Sequence, residues 1–85
     1  MVAYDIAAQC RAAFQNVRRV LEDAGSSWDR IVDLTVFLTS MDDFPVYNRV
    51  YAEHFTDNQP ARTTIEVGRL PTDIAIEVKV IATIG

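Results

Sequence analysis

The sequence predicts an α+β domain whose elements follow the order α-β-α-β-β, and three features of the chain predict it. Apolar residues recur at helical spacing over residues 5–24, whereas residues 30–39 and 74–84 alternate between faces as strands do. Turn-forming residues separate these segments. Of the 85 residues, 49% are hydrophobic and 24% charged, which is typical of a globular chain. We therefore expect residues 1–85 to form a single domain.

The first helix is predicted from Asp5 to Ala24. Its apolar side chains form one stripe at helical spacing, made of Ile6, Cys10, Ala13, Phe14, Val17, Val20, Leu21 and Ala24. Gly25 follows at the position where a helix end favours a left-handed residue. The helix should therefore bury this stripe and end before Gly25.

The segment "RIVDLTVFLT", residues 30–39, predicts the first strand, with one apolar face and one mixed face. The apolar face is predicted to carry Val32, Leu34, Val36 and Leu38, and the mixed face Ile31, Asp33, Thr35, Phe37 and Thr39. Ser40 then opens an S-x-x-D capping pattern, which predicts that a second helix starts there, with Pro45 in its first turn. The apolar stripe of this helix comprises Phe44, Tyr47, Val50, Tyr51, His54 and Phe55.

Two further strands are predicted in "RTTIEV" and in "IAIEVKVIATI", after the loops "TDNQP" and "GRLPTD". A strand, helix, strand unit favours a parallel right-handed crossover, and the last two strands are expected to pair as a hairpin. Three strands leave open edges and one uncovered face. We therefore expect either that the chain oligomerises through its sheet or that strands are missing from it.

Charge and cysteine content exclude several classes of function. The net charge is −4, with basic residues scattered among acidic ones, so nucleic acid is a disfavoured partner. The single cysteine, Cys10, favours a reducing compartment, and we expect a cytoplasmic protein with neither signal peptide nor membrane span. No metal-ligand spacing and no phosphate-binding glycine motif occurs, so neither metal nor cofactor is predicted.

Two charged residues on predicted strands are candidates for chemistry. Arg62 follows Pro60, which stiffens the approach to the strand, and its guanidinium could grip a carboxylate through two hydrogen bonds. On pattern alone, a solvated arginine or a structural ion pair is the competing interpretation. Glu77 could activate a water molecule, and its competing interpretation is a cross-strand ion pair.

Other polar residues are interpreted first as structural. His54, Tyr47 and Tyr51 fall on the apolar stripe of the second helix, and Cys10 falls on that of the first. Asn48 lies between two aromatic positions, where it is either an ordinary surface amide or a residue that faces a cleft.

In the order of several motifs, the sequence resembles members of the reactive-intermediate deaminase (Rid) family of imine and enamine deaminases. The motifs are V-x-x-x-L-x-x-A-G, V-F-L-T, D-F, N-x-x-Y, P-A-R-[ST] and I-E-[IV], and together they span nearly the whole chain. The resemblance implies a chorismate-mutase-like sheet with two helices on one face, assembled as a homotrimer with sites between subunits. It further implies hydrolysis of 2-imino or enamino acids to 2-keto acids and ammonia, without metal or cofactor, in the detoxification of reactive intermediates.

The same resemblance assigns roles to individual residues. It implies that Arg62 of P-A-R-[ST] binds the substrate carboxylate and that Glu77 of I-E-[IV] positions water. Asn48 of N-x-x-Y falls on a cleft residue, and Thr64 stands where the family often has a cysteine. Thr64 and Asn48 are therefore expected to contact substrate.

Members of that family begin with a β-hairpin that carries G-P-Y-S-Q and V-S-G-Q motifs and lines the site. The resemblance therefore implies that this chain starts after the hairpin. Three alternatives to a general imine deaminase stay open: a non-catalytic ligand-binding or assembly module of the same family, a 2-aminomuconate-type deaminase, and an endoribonuclease or translation inhibitor. The last is the weakest, because the chain is acidic.

Overall fold

In the computed structural model, two α-helices and three strands are described over residues 5–56, 59–71 and 74–84. The elements are α1 (Ile6–Asp23), β1 (Ile31–Leu38), α2 (Phe44–His54), β2 (Ala61–Glu66) and β3 (Ile76–Ala82). The predicted order α-β-α-β-β is therefore confirmed. The loops "TDNQP" and "GRLPTD" include Asp57, Asn58, Thr72 and Asp73, which lie outside the described residues. No helix in the described ranges is both long and apolar enough to cross a membrane.

Helix α1 begins and ends where its sequence indicates. Asp5 is the N-cap, and its carboxylate accepts a hydrogen bond from the backbone N–H of Ala8. Gly25 follows the helix with a φ of 84°, a left-handed conformation that a residue with a side chain rarely adopts. The helix therefore stops because glycine satisfies its C-terminal turn.

The start of α2 differs from the prediction. The Ser40 side chain accepts a hydrogen bond from the backbone N–H of Asp42, but it caps a short 3₁₀ turn over Met41–Asp43. Helix α2 itself begins at Phe44, with Pro45 in its first turn. The capping pattern thus marks the turn that leads into the helix, because proline fits the first helical turn, where no N–H is needed.

The strand order is β2-β1-β3, so the predicted hairpin between the last two strands is wrong. Strand β1 pairs in parallel with β2 and antiparallel with β3. Strand β1 carries the most deeply buried side chains of the sheet, Leu34, Val36 and Leu38, each 0% exposed. In the central position, both backbone edges of β1 are paired with a neighbouring strand. This favours β1 in the centre, even though β2 and β3 follow one another along the chain.

A bulge changes the faces at the start of β1. The register with β3 shifts between Ile31 and Asp33, which makes Val32 the extra residue. Ile31 is buried at 2% exposure, whereas Val32 is 49% exposed, so the predicted faces are reversed for these two residues. From Asp33 to Leu38 the alternation holds as predicted.

Both helices pack on the face of the sheet that carries Leu34, Val36 and Leu38. An aromatic cluster fills the space between the helices, with Trp28 stacked on Phe55 at 4.7 Å and Phe14 edge-on to Trp28 at 5.8 Å between ring centroids. The opposite face of the sheet carries Phe37, Ile65 and Ile81, and no described element covers it. Within residues 5–56, 59–71 and 74–84, the sheet therefore has one buried face and one apolar face that no element covers.

Candidate active site

Arg62 lies on the helix-covered face of the sheet although its side chain is exposed. It stands opposite Leu34 in the parallel ladder, and Leu34 points into the core, so Arg62 points toward the helices. Strand β2 is an edge strand whose residues are largely exposed. The guanidinium is therefore held between an edge strand and α2, where solvent reaches it.

Three residues of α2 contact the Arg62 side chain. Its Nη1 donates a hydrogen bond to Oδ1 of Asn48 at 2.7 Å. Its Cζ lies 4.2 Å from the ring centroid of Tyr51 and 5.9 Å from that of Tyr47. Guanidinium groups stack well on aromatic faces, and a guanidinium has five N–H donors. The stacking and the hydrogen bond to Asn48 fix the direction of the Arg62 guanidinium. Among the described residues, the guanidinium keeps further N–H donors that can bind a carboxylate.

Thr64 lies two residues further along the same face, next to Tyr47. The Tyr47 side chain is 0% exposed, and burial raises the pKa of its hydroxyl above the usual value. The charge of Arg62 opposes that rise in pKa, and so do the hydrogen-bonding groups of Arg62 and Thr64. The Arg62 and Thr64 side chains therefore lie close to the Tyr47 hydroxyl. Yet the hydroxyl meets neither at hydrogen-bonding geometry.

The end of β2 is fixed relative to the segment that leads into α2. The Glu66 carboxylate accepts a hydrogen bond from the backbone N–H of Met41 at 2.7 Å. The backbone N–H of Val67 donates to the carbonyl of Leu38 at 2.8 Å. These bonds tie the end of β2 to the end of β1 and to the turn that precedes α2.

Glu77 lies elsewhere. It is the second residue of β3, opposite Phe37, and it is exposed on the uncovered face of the sheet. Arg62 is on the other face and on the other edge strand, with β1 between them. Two strand spacings already separate them by about 10 Å. One chain therefore brings together Arg62, Asn48 and Thr64 but does not bring Glu77 to them.

Tyr47 and Tyr51 are site residues whose contact with arginine the sequence did not reveal. Both are buried core residues, as their place on the α2 stripe predicted. Their rings also form the surface on which Arg62 lies. Tyr47 and Tyr51 are four residues apart, with Asn48 between them, and this spacing is the only sequence signal that they share a face of the helix. It does not indicate which strand packs against that face.

The remaining candidate residues pack away from Arg62. The His54 Nδ1–H donates to the carbonyl of Val50 at 2.9 Å, and its ring packs on Phe14 at 5.0 Å between centroids. Burial, with a smaller contribution from Asp43, raises the pKa of the Cys10 thiol to about 11. Within the described ranges, no group of three or more His, Cys, Asp or Glu side chains is placed to hold a metal ion.

Comparison with known proteins gives a consistent family. The model of the endoribonuclease L-PSP family matches residues 1–84. A RutC family protein of Pyrococcus horikoshii is 44% identical over 82 residues, which is 96% of this chain and 65% of that protein. The 2-iminobutanoate/2-iminopropanoate deaminase of Salmonella typhimurium is 42% identical over 84 residues, which is 95% of this chain and 66% of that enzyme.

The likeness extends to solved structures. The crystal structure of yeast Mmf1 superposes with a TM-score of 0.95 at 39% identity, covering 99% of this chain and 67% of that one. The chain thus spans about two thirds of the length of each relative. With matching sequence, fold and motif order, the chain belongs to the endoribonuclease L-PSP family, also called the RutC or Rid family.

Proposed function

We propose that this chain contributes to the hydrolytic deamination of reactive 2-imino and enamino acids to 2-keto acids and ammonia. The observation that carries the proposal is Arg62, an exposed guanidinium held by Asn48 and Tyr51 so that donors remain for a carboxylate. A relative that is 42% identical is named for this reaction. Arg62 binds the substrate carboxylate and thereby fixes the position of the C=N carbon.

Glu77 supplies the proton transfers. The oxygen of water bonds to the imine carbon while the Glu77 carboxylate takes a proton from the water and passes it to the nitrogen. The Glu77 carboxylate then takes the hydroxyl proton of the resulting carbinolamine and passes it to the amino nitrogen, so the C–N bond breaks and ammonia leaves as the C=O bond forms. The reaction consumes one water and needs neither oxidant nor reductant. Thr64 lies two residues from Arg62 on the same face, where it contacts the bound carboxylate.

The chain acts as a homotrimer whose sites lie between subunits. Arg62 and Glu77 are on opposite faces and opposite edges of one sheet, so a shared site requires Glu77 from an adjacent copy. The uncovered sheet face offers apolar surface for that contact: Ile65 is 42% and Ile81 52% exposed. An 85-residue chain also gains needed burial by associating.

The family name points to ribonuclease activity as a second candidate, and the charge of this chain opposes it. The net charge of −4 disfavours binding to RNA phosphates. Incubation with RNA should therefore leave the RNA intact under conditions in which imine hydrolysis is accelerated.

The deaminase proposal is tested by generating 2-iminopropionate or 2-iminobutyrate in situ with an amino-acid oxidase and following the decay of the imine. Wild-type protein should accelerate the decay, and Arg62→Ala and Glu77→Gln should each lower kcat/KM by about a hundredfold. The control variants are Arg19→Ala and Glu22→Gln on the exposed face of α1, which should keep full activity. If the folded, oligomeric wild-type protein does not accelerate decay of the imine, the proposal is wrong.

Mixing the two inactive variants tests whether the site is shared. In a ring of three subunits, a mixed trimer regains one site that combines Arg62 of one variant with Glu77 of the other. Random mixing of equal amounts should therefore restore about a quarter of the wild-type activity. If both residues served from one chain, no mixture would recover activity.

A further inference from the structure

The hydroxyl of Tyr47 is a buried donor that meets no hydrogen-bond partner among the described residues. Of the buried side-chain oxygen and nitrogen atoms in residues 5–56, 59–71 and 74–84, Tyr47 Oη is the one that makes no hydrogen bond. An unpaired buried hydroxyl destabilises the folded protein, because it has lost its hydrogen bonds to water without replacing them. Such a group in a native core needs a physical reason, and a ligand that pairs with it is one.

The residues around this hydroxyl carry donors in excess. Arg62 and Thr64 lie beside it, and the Arg62 guanidinium lies over its ring at 5.9 Å. Arginine has only donors, and the Tyr and Thr hydroxyls can each donate one hydrogen. Among the described residues of this group, the Asn48 amide oxygen is already bonded to Arg62, and the two hydroxyl oxygens are the other side-chain acceptors. A positively charged cluster with surplus donors suits an anionic oxygen.

We propose that the Tyr47 hydroxyl is a second donor to the carboxylate that Arg62 binds, and this proposal deepens and rests on the proposed function. The phenol donates to one carboxylate oxygen while the guanidinium donates to the other. Arg62 is the exposed group that lies over Tyr47, so a carboxylate arriving from solvent meets the guanidinium first. Because the hydroxyl is buried, its contact with the carboxylate requires the guanidinium to shift from its unliganded place over the Tyr47 ring.

This arrangement makes Tyr47 a substrate-binding residue that selects for charge. A phenol hydroxyl in a buried site binds a carboxylate more strongly than a neutral carbonyl, because a charge-assisted hydrogen bond is roughly twice as strong as a neutral one. The site therefore prefers 2-imino and 2-oxo acids over their neutral amides.

The test is Tyr47→Phe, which deletes the hydroxyl and keeps the ring. The probe is 2-oxobutanoate, a stable 2-oxo acid, with its affinity measured by calorimetry and the unfolding temperature measured without ligand. We expect the Kd for 2-oxobutanoate to rise about tenfold. The unfolding temperature should stay the same or rise, because the substitution removes an unpaired buried hydroxyl.

Two controls define the effect. Ser27→Ala also deletes a hydroxyl, one that caps no helix by its side chain, and should leave the Kd unchanged. The neutral analogue 2-oxobutanamide should lose less affinity on the Tyr47→Phe substitution than 2-oxobutanoate does, because its hydrogen bond to the phenol is a neutral one. An unchanged Kd for 2-oxobutanoate in Tyr47→Phe overturns the proposal, as does a wild-type protein that does not bind 2-oxobutanoate. A lower unfolding temperature with unchanged affinity overturns it too, since the hydroxyl then serves stability.

The results also separate this proposal from the deaminase proposal. Imine hydrolysis that depends on Arg62 but not on Tyr47 rejects the role of Tyr47 alone. Binding of 2-oxobutanoate that depends on Tyr47, by a protein that does not accelerate imine decay, rejects the deaminase and keeps the carboxylate site.

Discussion

At the scale of single residues, environment decides which polar groups are available for chemistry. Arg62 is exposed and stacked on Tyr51, so its charge stays in contact with solvent while its direction is fixed. Cys10 is 0% exposed in the core, where burial disfavours the thiolate. The first residue suits ligand binding, and the second suits packing.

The Cys10 thiol should therefore be inert in the folded protein. With a pKa of about 11 it is almost entirely protonated at pH 8, and the thiolate is the reactive form. We expect labelling by a disulfide reagent at pH 8 to be at least about a hundredfold slower in the folded protein than in urea. Because the chain has one cysteine, the released thiol reports Cys10 directly. Rapid stoichiometric labelling without denaturant would contradict this expectation.

At the scale of elements, the two helices are joined by an exposed ion pair as well as by the core. Arg11 of α1 and Glu53 of α2 form a salt bridge, with Nη2 and Oε2 3.1 Å apart. The hydrogen bond from Arg11 lowers the pKa of Glu53, and the Arg11 charge acts in the same direction. Solvent weakens the attraction between exposed charges, so the buried core contributes more than this ion pair to the packing of α1 against α2.

The ion pair should give a small pH-dependent contribution to stability. Because the folded-state pKa of Glu53 is lowered, the contribution is present at neutral pH and is lost as the pH falls through that lowered pKa. Glu53→Gln should lower the unfolding temperature by less than about 4 °C at pH 7 and by nothing in acid or in high salt. The control is Glu22→Gln on α1. An equal effect at neutral and acid pH would show that packing, not charge, is responsible.

At the scale of the whole molecule, the apolar face of the sheet that no described element covers is the surface that assembly would bury. Phe37, Ile65 and Ile81 share it with Glu77. Burial of this face in a neighbouring subunit would remove apolar area from water and would place Glu77 at a boundary between chains. Assembly and catalysis are therefore linked in the proposed trimer.

A charge on that face should disrupt the assembly. We expect wild-type protein to sediment at three times the 9.5 kDa mass of one chain and Ile81→Asp to shift toward monomer. The matched control is Val20→Asp on α1, because Val20 is similarly exposed, at 57%, but lies away from the sheet face. Imine hydrolysis should fall with the loss of trimer in Ile81→Asp and persist in Val20→Asp. A trimeric Ile81→Asp protein would remove this face from the interface.

The sequence by itself determined the element order, most of the buried helix stripes and the family, because helical and strand periods and ordered motifs are local properties. Val20 and Ala24, which were predicted to be buried, are exposed. The sequence also singled out Arg62, through Pro60 and the P-A-R-[ST] motif. Tertiary structure decided the rest: β1 takes the centre of the sheet, a bulge at Val32 reverses two residues, and Tyr47 and Tyr51 lie under Arg62. These depend on which strand pairs with which, and strand pairing joins residues far apart in the chain, so no local pattern encodes it. The separation of Arg62 from Glu77 follows from the same pairing.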